Sequence, residues 1–181
     1  DYIDKIPALK HAALLGPAVK AGDIERVQLL IAKGVDINAT LYGDGKSYGS
    51  QSTALHTAAH YGKKDIASIL LAEGASVNAT NWWSQTPLHL AWGFGTKRVP
   101  ELLIAKGAHV DARDYAGRTP LYLAAASRAD SDLIEFLIAN GADVNARDNH
   151  MGYTPLYRAS LNGRKRIVEL LLNKGAFVNQ K

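Results

Sequence analysis

Three of the six histidines stand where a metal site could form. His56 and His60 are one helical turn apart, and His89 repeats the place of His56 33 residues later. Two imidazoles on one helix face can chelate zinc. That chemistry needs a third ligand, yet no acid lies beside the pair and the chain has no cysteine. The histidines are therefore read as structural, with His60 alone left as a surface contact.

Other spacings reach the same point. Gly45-Lys46-Ser47 ends like a phosphate-binding loop, but the first glycine would fall at Thr40. Asp143-Val144-Asn145 begins like a calcium loop, and Arg147 occupies the next ligand position. Asn38-Ala39-Thr40 and Asn78-Ala79-Thr80 are formal glycosylation sequons, better explained as recurring asparagines that tie down a link. The serine-rich stretch has no associated histidine, and the carboxylates are scattered at helix starts and links. No enzyme activity, cofactor or metal is expected.

The elements behind these residues form an array. Five aliphatic runs close on glycine at Gly34, Gly74, Gly107, Gly141 and Gly175, spaced 40, 33, 34 and 34 residues apart. Thr53, Thr86, Thr119 and Thr154 open the later units, three of them as Thr-Pro-Leu. Threonine suits an N-cap and proline the first helical position, where an N–H is unused anyway. Small residues such as Ala58-Ala59 and Ala124-Ala125 follow, then a turn, then a leucine- and isoleucine-rich second helix. Each closing glycine fits a left-handed C′ position, and a Val-Asn or Val-Asp link leads onward.

These features together, with Thr86-Pro87-Leu88-His89, resemble the ankyrin repeat family over roughly residues 13 to 179. The resemblance implies an all-α ankyrin-repeat solenoid of helix-turn-helix units joined by β-hairpin-like loops. One domain, 1–181, is expected: a leading cap at 1–12, repeats at about 13–40, 53–80, 86–113, 119–147 and 154–179, and an inserted loop at 41–52. The opening unit has Ala13-Leu14-Leu15-Gly16-Pro17 in place of the signature, as expected of a terminal repeat. The numbering begins at Asp1, which leaves room for a targeting segment ahead of it, and stops at Lys181 where another hairpin would start, as in a segment of a longer protein. The family further implies that His56 and His89 bond backbone and cap groups between repeats, and that hairpin tips and first helices make a concave, partner-binding face.

Composition sets limits. At 47% hydrophobic and 21% charged this is an ordinary repeat-domain composition. The absence of cysteine excludes disulfides and thiolate chemistry. No run of about 18 apolar residues could span a membrane, no signal peptide is visible, and the expected compartment is the cytoplasm. The net charge of +4 and pI of 9.2 invite an acidic partner without requiring one.

Two surfaces compete for function. Trp82 and Trp83 stand in a link where the family is polar and variable; Tyr115 occupies the place of Trp82 in the next link, and Tyr61 that of Phe94. With His60, and with Tyr48 of the inserted loop, these form the expected partner-binding set, because aromatic side chains dominate interface hot spots. Trp92 replaces an alanine and is expected to pack inward. The inserted loop, with Tyr42 and Tyr48, reads equally as a binding finger and as a tolerated insertion. Lys63, Lys64, Lys97, Arg98, Arg164 and Lys165 recur at the turn between helices, which gives the alternative: an anion- or nucleic-acid-binding edge. Two acids, Asp130 and Asp132, interrupt that stripe, and helix turns are where solvated charges normally sit. The favoured reading is a non-catalytic protein–protein interaction module, monomeric by default, with nucleic acid disfavoured. A passive scaffold segment of a larger multidomain protein is the third reading.

Overall fold

The computed structural model describes residues 7–40, 51–93, 97–127 and 129–178; the expected partner-binding residues Phe94 and Tyr48, residues 41–50 of the expected inserted loop and residues 1–6 of the expected cap lie outside them. Among the described residues ten helices form five antiparallel pairs: α1 (Pro7–Ala21) with α2 (Ile24–Ala32), α3 (Ala54–His60) with α4 (Lys64–Ala72), α5 (Pro87–Leu90) with α6 (Arg98–Ala105), α7 (Pro120–Ala126) with α8 (Ser131–Ala139), and α9 (Pro155–Leu161) with α10 (Lys165–Asn173). The first helices α1, α3, α5, α7 and α9 pack each on the next. Behind them α2 lies on α4, α4 on α6, and α8 on α10. No β-strand occurs among the described residues; the links are turns.

Small residues let the first helices approach one another. Ala58, Ala59, Ala91, Ala124, Ala125 and Ala159 are all buried in one continuous apolar cluster with Leu55, Leu70, Leu103, Leu121, Leu137 and Leu171. At about 25 cal/mol per Å² of apolar surface, this shared core is what each unit lacks alone and gains by stacking.

Helix ends follow the local chemistry. Thr119 and Thr154 accept the amides of Tyr122 and Tyr157 through their hydroxyls, and Pro120 and Pro155 occupy the first helical positions. At the other end all five closing glycines have positive φ, from 77° at Gly34 to 94° at Gly141. The amide of the residue after each glycine reaches back to a carbonyl five residues earlier, as from Ala75 to Leu70 at 2.8 Å and from Ala108 to Leu103 at 2.9 Å. This is a Schellman closure, and the residue that follows the glycine (Val35, Ala75, Ala108, Ala142, Ala176) is buried.

One feature differs from the sequence expectation, and one sets the third unit apart from the others. A single helix, α1, runs from Pro7 to Ala21 through Pro17, across the point between residues 12 and 13 where cap and first repeat were expected to meet. The helix α5 stops at Leu90. There Trp92, in the place held by Ala59, Ala125 and Ser160 in other units, lies half-buried against the core with its indole Nε1 buried and unbonded.

The links clamp one unit to the next. Asn78 donates from Nδ2 to the Gly107 carbonyl at 3.0 Å and accepts the His109 amide at 2.9 Å. Asn38 does the same with Gly74 and Ser76, and Asn145 with Gly175 and Phe177. In the third unit Asp111, which has no donor, only accepts, from the Asp143 amide at 3.0 Å. The recurring asparagines of the two sequons are thus accounted for by inter-repeat bonding.

Candidate functional site

Each finger between units is built on an Asx residue. Asn81 accepts the amides of Trp83 and Gln85 through Oδ1, at 3.0 and 2.9 Å, while its own amide donates to the Gln85 carbonyl. Asp114 repeats this with Ala116, Arg118 and the Arg118 carbonyl. Asp148 takes the amides of His150, Met151 and Tyr153. A loop closed so tightly through its base has its inward polar groups satisfied, and the intervening side chains must face out. Accordingly Trp82 is 66% exposed, Trp83 37%, Tyr115 80% and Met151 69%.

The fingers are joined to each other. The amide of Tyr115 donates to the Trp83 carbonyl at 2.8 Å, and that of Asn149 to the Ala116 carbonyl at 2.8 Å. Arg113 adds a bond from its guanidinium to the Arg147 carbonyl at 2.8 Å. Gly117, at φ 75°, packs so closely on the Asn149 side chain that a Cβ would collide with it.

Below the tips the first helices fix the fingers. His56 Nδ1 lies 3.2 Å from the Thr53 amide and 2.9 Å from its hydroxyl, and Nε2 lies 2.8 Å from the Gln85 carbonyl. An amide can only donate and a carbonyl only accept, so the network requires a neutral ring protonated on Nε2. His89 repeats the arrangement with Thr86 and the Arg118 carbonyl. Burial brings His56 down to about 4, against the pull of the Gln85 bond, and also lowers His89. In the next unit Tyr122 replaces histidine and donates to Asp148 Oδ2 at 2.7 Å. Burial, then the Asp148 bond and charge, raise the Tyr122 hydroxyl. Burial would raise Asp148 too, but the Tyr122 hydroxyl and the three loop amides outweigh it and hold the carboxyl below its ordinary value. These groups are structural, and the structure places both buried histidines at helix caps.

Of the aromatic set, Trp82, Trp83 and Tyr115 come together on adjacent fingers. Tyr61 and His60 are half-buried at the far end of α3 from its finger, about 10 Å along a seven-residue helix. There the His60 and Tyr61 rings meet edge to face at 4.8 Å, and Lys20 Nζ sits 5.3 Å from the Tyr61 centroid. Burial, with the Lys20 charge, lowers His60. Sequence reasoning missed Met151, whose finger is longer than the one before it. It also missed the ion pair in which Arg118 grips the buried Asp114 carboxylate through Nε at 2.8 Å and Nη2 at 2.7 Å.

The basic residues spread along the helix turns. Lys64, Lys97, Arg98 and Lys165 are exposed, whereas Lys63 and Arg164 are half-buried. Lys97 pairs with Glu101 at 3.7 Å, and Arg164 donates to the Ala129 carbonyl at 3.2 Å. A groove of about 500 Å³ lies between the fourth and fifth turns, lined by Arg164, Lys165 and Arg166 but also by Asp130.

Among the described residues no group of three His, Cys, Asp or Glu side chains is placed to hold a metal. The stretch Gly45-Lys46-Ser47-Tyr48-Gly49 has the Gly-x-Ser-x-Gly spacing of a nucleophile elbow. It lies outside the described residues, and the strand that an elbow needs is absent among those described on either side. No helix among the described residues is long and apolar enough to cross a membrane.

Comparison with known proteins agrees with this architecture. Over 66 residues, the length of two repeats, the chain is 39% identical to Serine/threonine-protein kinase 12 of Arabidopsis thaliana. That similarity takes in 36% of this chain, but the chain spans only 13% of the kinase's length. A family model for ankyrin repeats in three copies matches residues 15–114, 81–148 and 99–181. Ankyrin repeats are generally non-catalytic protein–protein interaction modules. With that match running from the first described pair of helices to the last, over the same caps, clamps and fingers, the chain belongs to the ankyrin repeat family.

Proposed function

We propose that this array is a non-catalytic interaction module that grips one partner protein across its concave face, with Trp82, Trp83 and Tyr115 as anchors and Met151 extending the row. The observation that carries the reading is the exposure of these side chains on fingers whose backbones are hydrogen-bonded to each other. Exposed aromatics normally sit singly on a surface; a row on a braced scaffold gives large contact area for little lost entropy on docking. Tyr61 and His60 offer a second contact further along the same face, and the protein acts as a monomer.

The test is quantitative capture from a lysate of source cells by the native chain and by a Trp82→Ala/Trp83→Ala variant of unchanged helicity and melting. Loss of one specific protein from the variant supports the reading, and undiminished capture of every partner sinks it. The basic edge supplies the second reading, favoured by the convergence of Arg164, Lys165 and Arg166 on one groove. Phosphate binding there would weaken steeply with salt, whereas an aromatic interface would hardly respond.

A further inference from the structure

The interface between units repeats in register, which makes the open side of the fifth unit legible. Three residues before each closing glycine, Ile31, Leu71, Ile104 and Ile138 are half-buried against the core; their counterpart Leu172 is 40% exposed. Three residues after it, Ile37, Val77, Val110 and Val144 are likewise half-buried on the core; Val178 is 72% exposed. On the first helices, His56, His89 and Tyr122 are buried and each bonds the next finger. Tyr157, their counterpart, is 43% exposed and stacks on Tyr153 of its own finger at 4.0 Å. Phe177 stands 58% exposed where the other units carry Asp36, Ser76, His109 and Asp143. Together with Leu156 and Val168 these side chains line an open groove of about 390 Å³.

The last unit of a solenoid stays soluble by turning a polar face outward, and this face is apolar. We infer that it is the seat of a sixth helix-turn-helix unit of the same kind, whose second helix covers Leu172 and Val178 and whose finger meets Tyr157. The groove extends, in the same register, the interface already made four times along the array. A second copy docking here through its own groove would pair the face with itself. That would break the head-to-tail order in which each unit turns one side to the unit before it and the opposite side to the unit after it.

The experiment compares the 181-residue chain with the same chain fused to a copy of its own fourth unit and the finger that leads into it, residues 114–147, carrying Ile138→Lys and Val144→Lys within the copy to make its outer side polar. Both are measured by thermal melting, hydrogen exchange and sedimentation, each with and without Leu172→Lys. The expected result is one melting transition raised by roughly 5 °C or more and exchange in α10 slowed roughly tenfold. Leu172→Lys should remove both gains in the fusion while leaving the unfused chain nearly unchanged. A fusion that melts in two steps with α10 exchange unaltered would overturn the inference. So would an unfused chain that sediments as a dimer and is made monomeric by Leu172→Lys, since the face would then belong to a second copy.

Discussion

The carbonyl of Trp83 accepts the amide of Tyr115 at 2.8 Å, so two fingers that display exposed rings are held at a backbone-bonded distance from each other. Neither ring is needed for that bond. Scaffold and surface are therefore separable: the Asx loops and the inter-finger bonds place the tips, and the side chains at the tips remain free to choose a partner. Trp82→Ala and Tyr115→Ala should each shift unfolding free energy by no more than about 0.5 kcal/mol, as for other exposed positions. Either change should weaken affinity for the captured partner about tenfold or more, if the row acts as a hot spot. Denaturant melts and titration calorimetry on the same variants check the two halves.

The ion pair inside the third finger makes the opposite prediction. Asp114 is buried with no exposed side-chain surface, and Arg118 supplies its only charge partner among the described residues. Replacing Arg118 by methionine keeps the aliphatic stem and leaves a buried carboxylate answered only by two backbone amides and a long bond of 3.5 Å from the Gln85 side chain. A cost of about 3 kcal/mol is expected, from the penalty of an uncompensated charge. Urea unfolding of Arg118→Met against Arg118→Met/Asp114→Asn checks it, because the second change removes the charge and should recover much of the loss.

Protonation of the capping histidines should set an acid limit. His56 titrates at about 4 in the folded chain, below its ordinary 6.5, so the unfolded chain binds the proton more readily. Its contribution is fully present above pH 6.5 and is lost as pH falls toward 4, amounting to on the order of 3 kcal/mol over that window. His89 is displaced in the same direction and adds to the slope. Stability measured from pH 7.5 to 4 should fall in wild type, and the fall should be shallower in His56→Gln.

The array itself is legible in the sequence because its punctuation is local. A threonine cap, a proline at the first turn and a glycine with positive φ each act within four residues, and they recur. The finger row is only partly legible. The alignment of Tyr115 with Trp82 follows from the period, but Met151 falls in a finger of different length, and the grip of Arg118 on Asp114 appears only once the loop is closed. Tyr61 and His60 were grouped with the tips by counting along repeats. In the structure the length of α3 separates them, since position within a repeat fixes height along the helix. The half-buried seat of Trp92, where Ala59 and Ala125 stand in other units, likewise depends on packing that spacing alone does not give.

Glycine positions separate strain from space. At Gly107 a Cβ would meet nothing within 4 Å, so only the positive φ of 87° opposes a side chain. Gly107→Ala should cost about 1 kcal/mol. Gly117 has a similar φ of 75°, but its Cβ would strike the Asn149 side chain on the next finger. Gly117→Ala should therefore cost clearly more than Gly107→Ala, and Asn149→Ala should recover part of the difference. Paired denaturant curves resolve this.

The clamp at Asp111 can be improved. Asn38, Asn78 and Asn145 each donate to a closing glycine carbonyl as well as accepting an amide. Asp111 holds the same place but has only acceptors, so it makes the bond from Asp143 without the bond to the glycine. Asp111→Asn keeps shape and acceptor and adds the missing donor toward Gly141. It also removes a negative charge facing Asp143. A gain of about 1 kcal/mol is expected, the net value of one hydrogen bond, with slower exchange at the start of the 141–147 link. An unchanged or lower melting temperature would show that the aspartate already satisfies this joint, and that the asparagines elsewhere are kept for another reason.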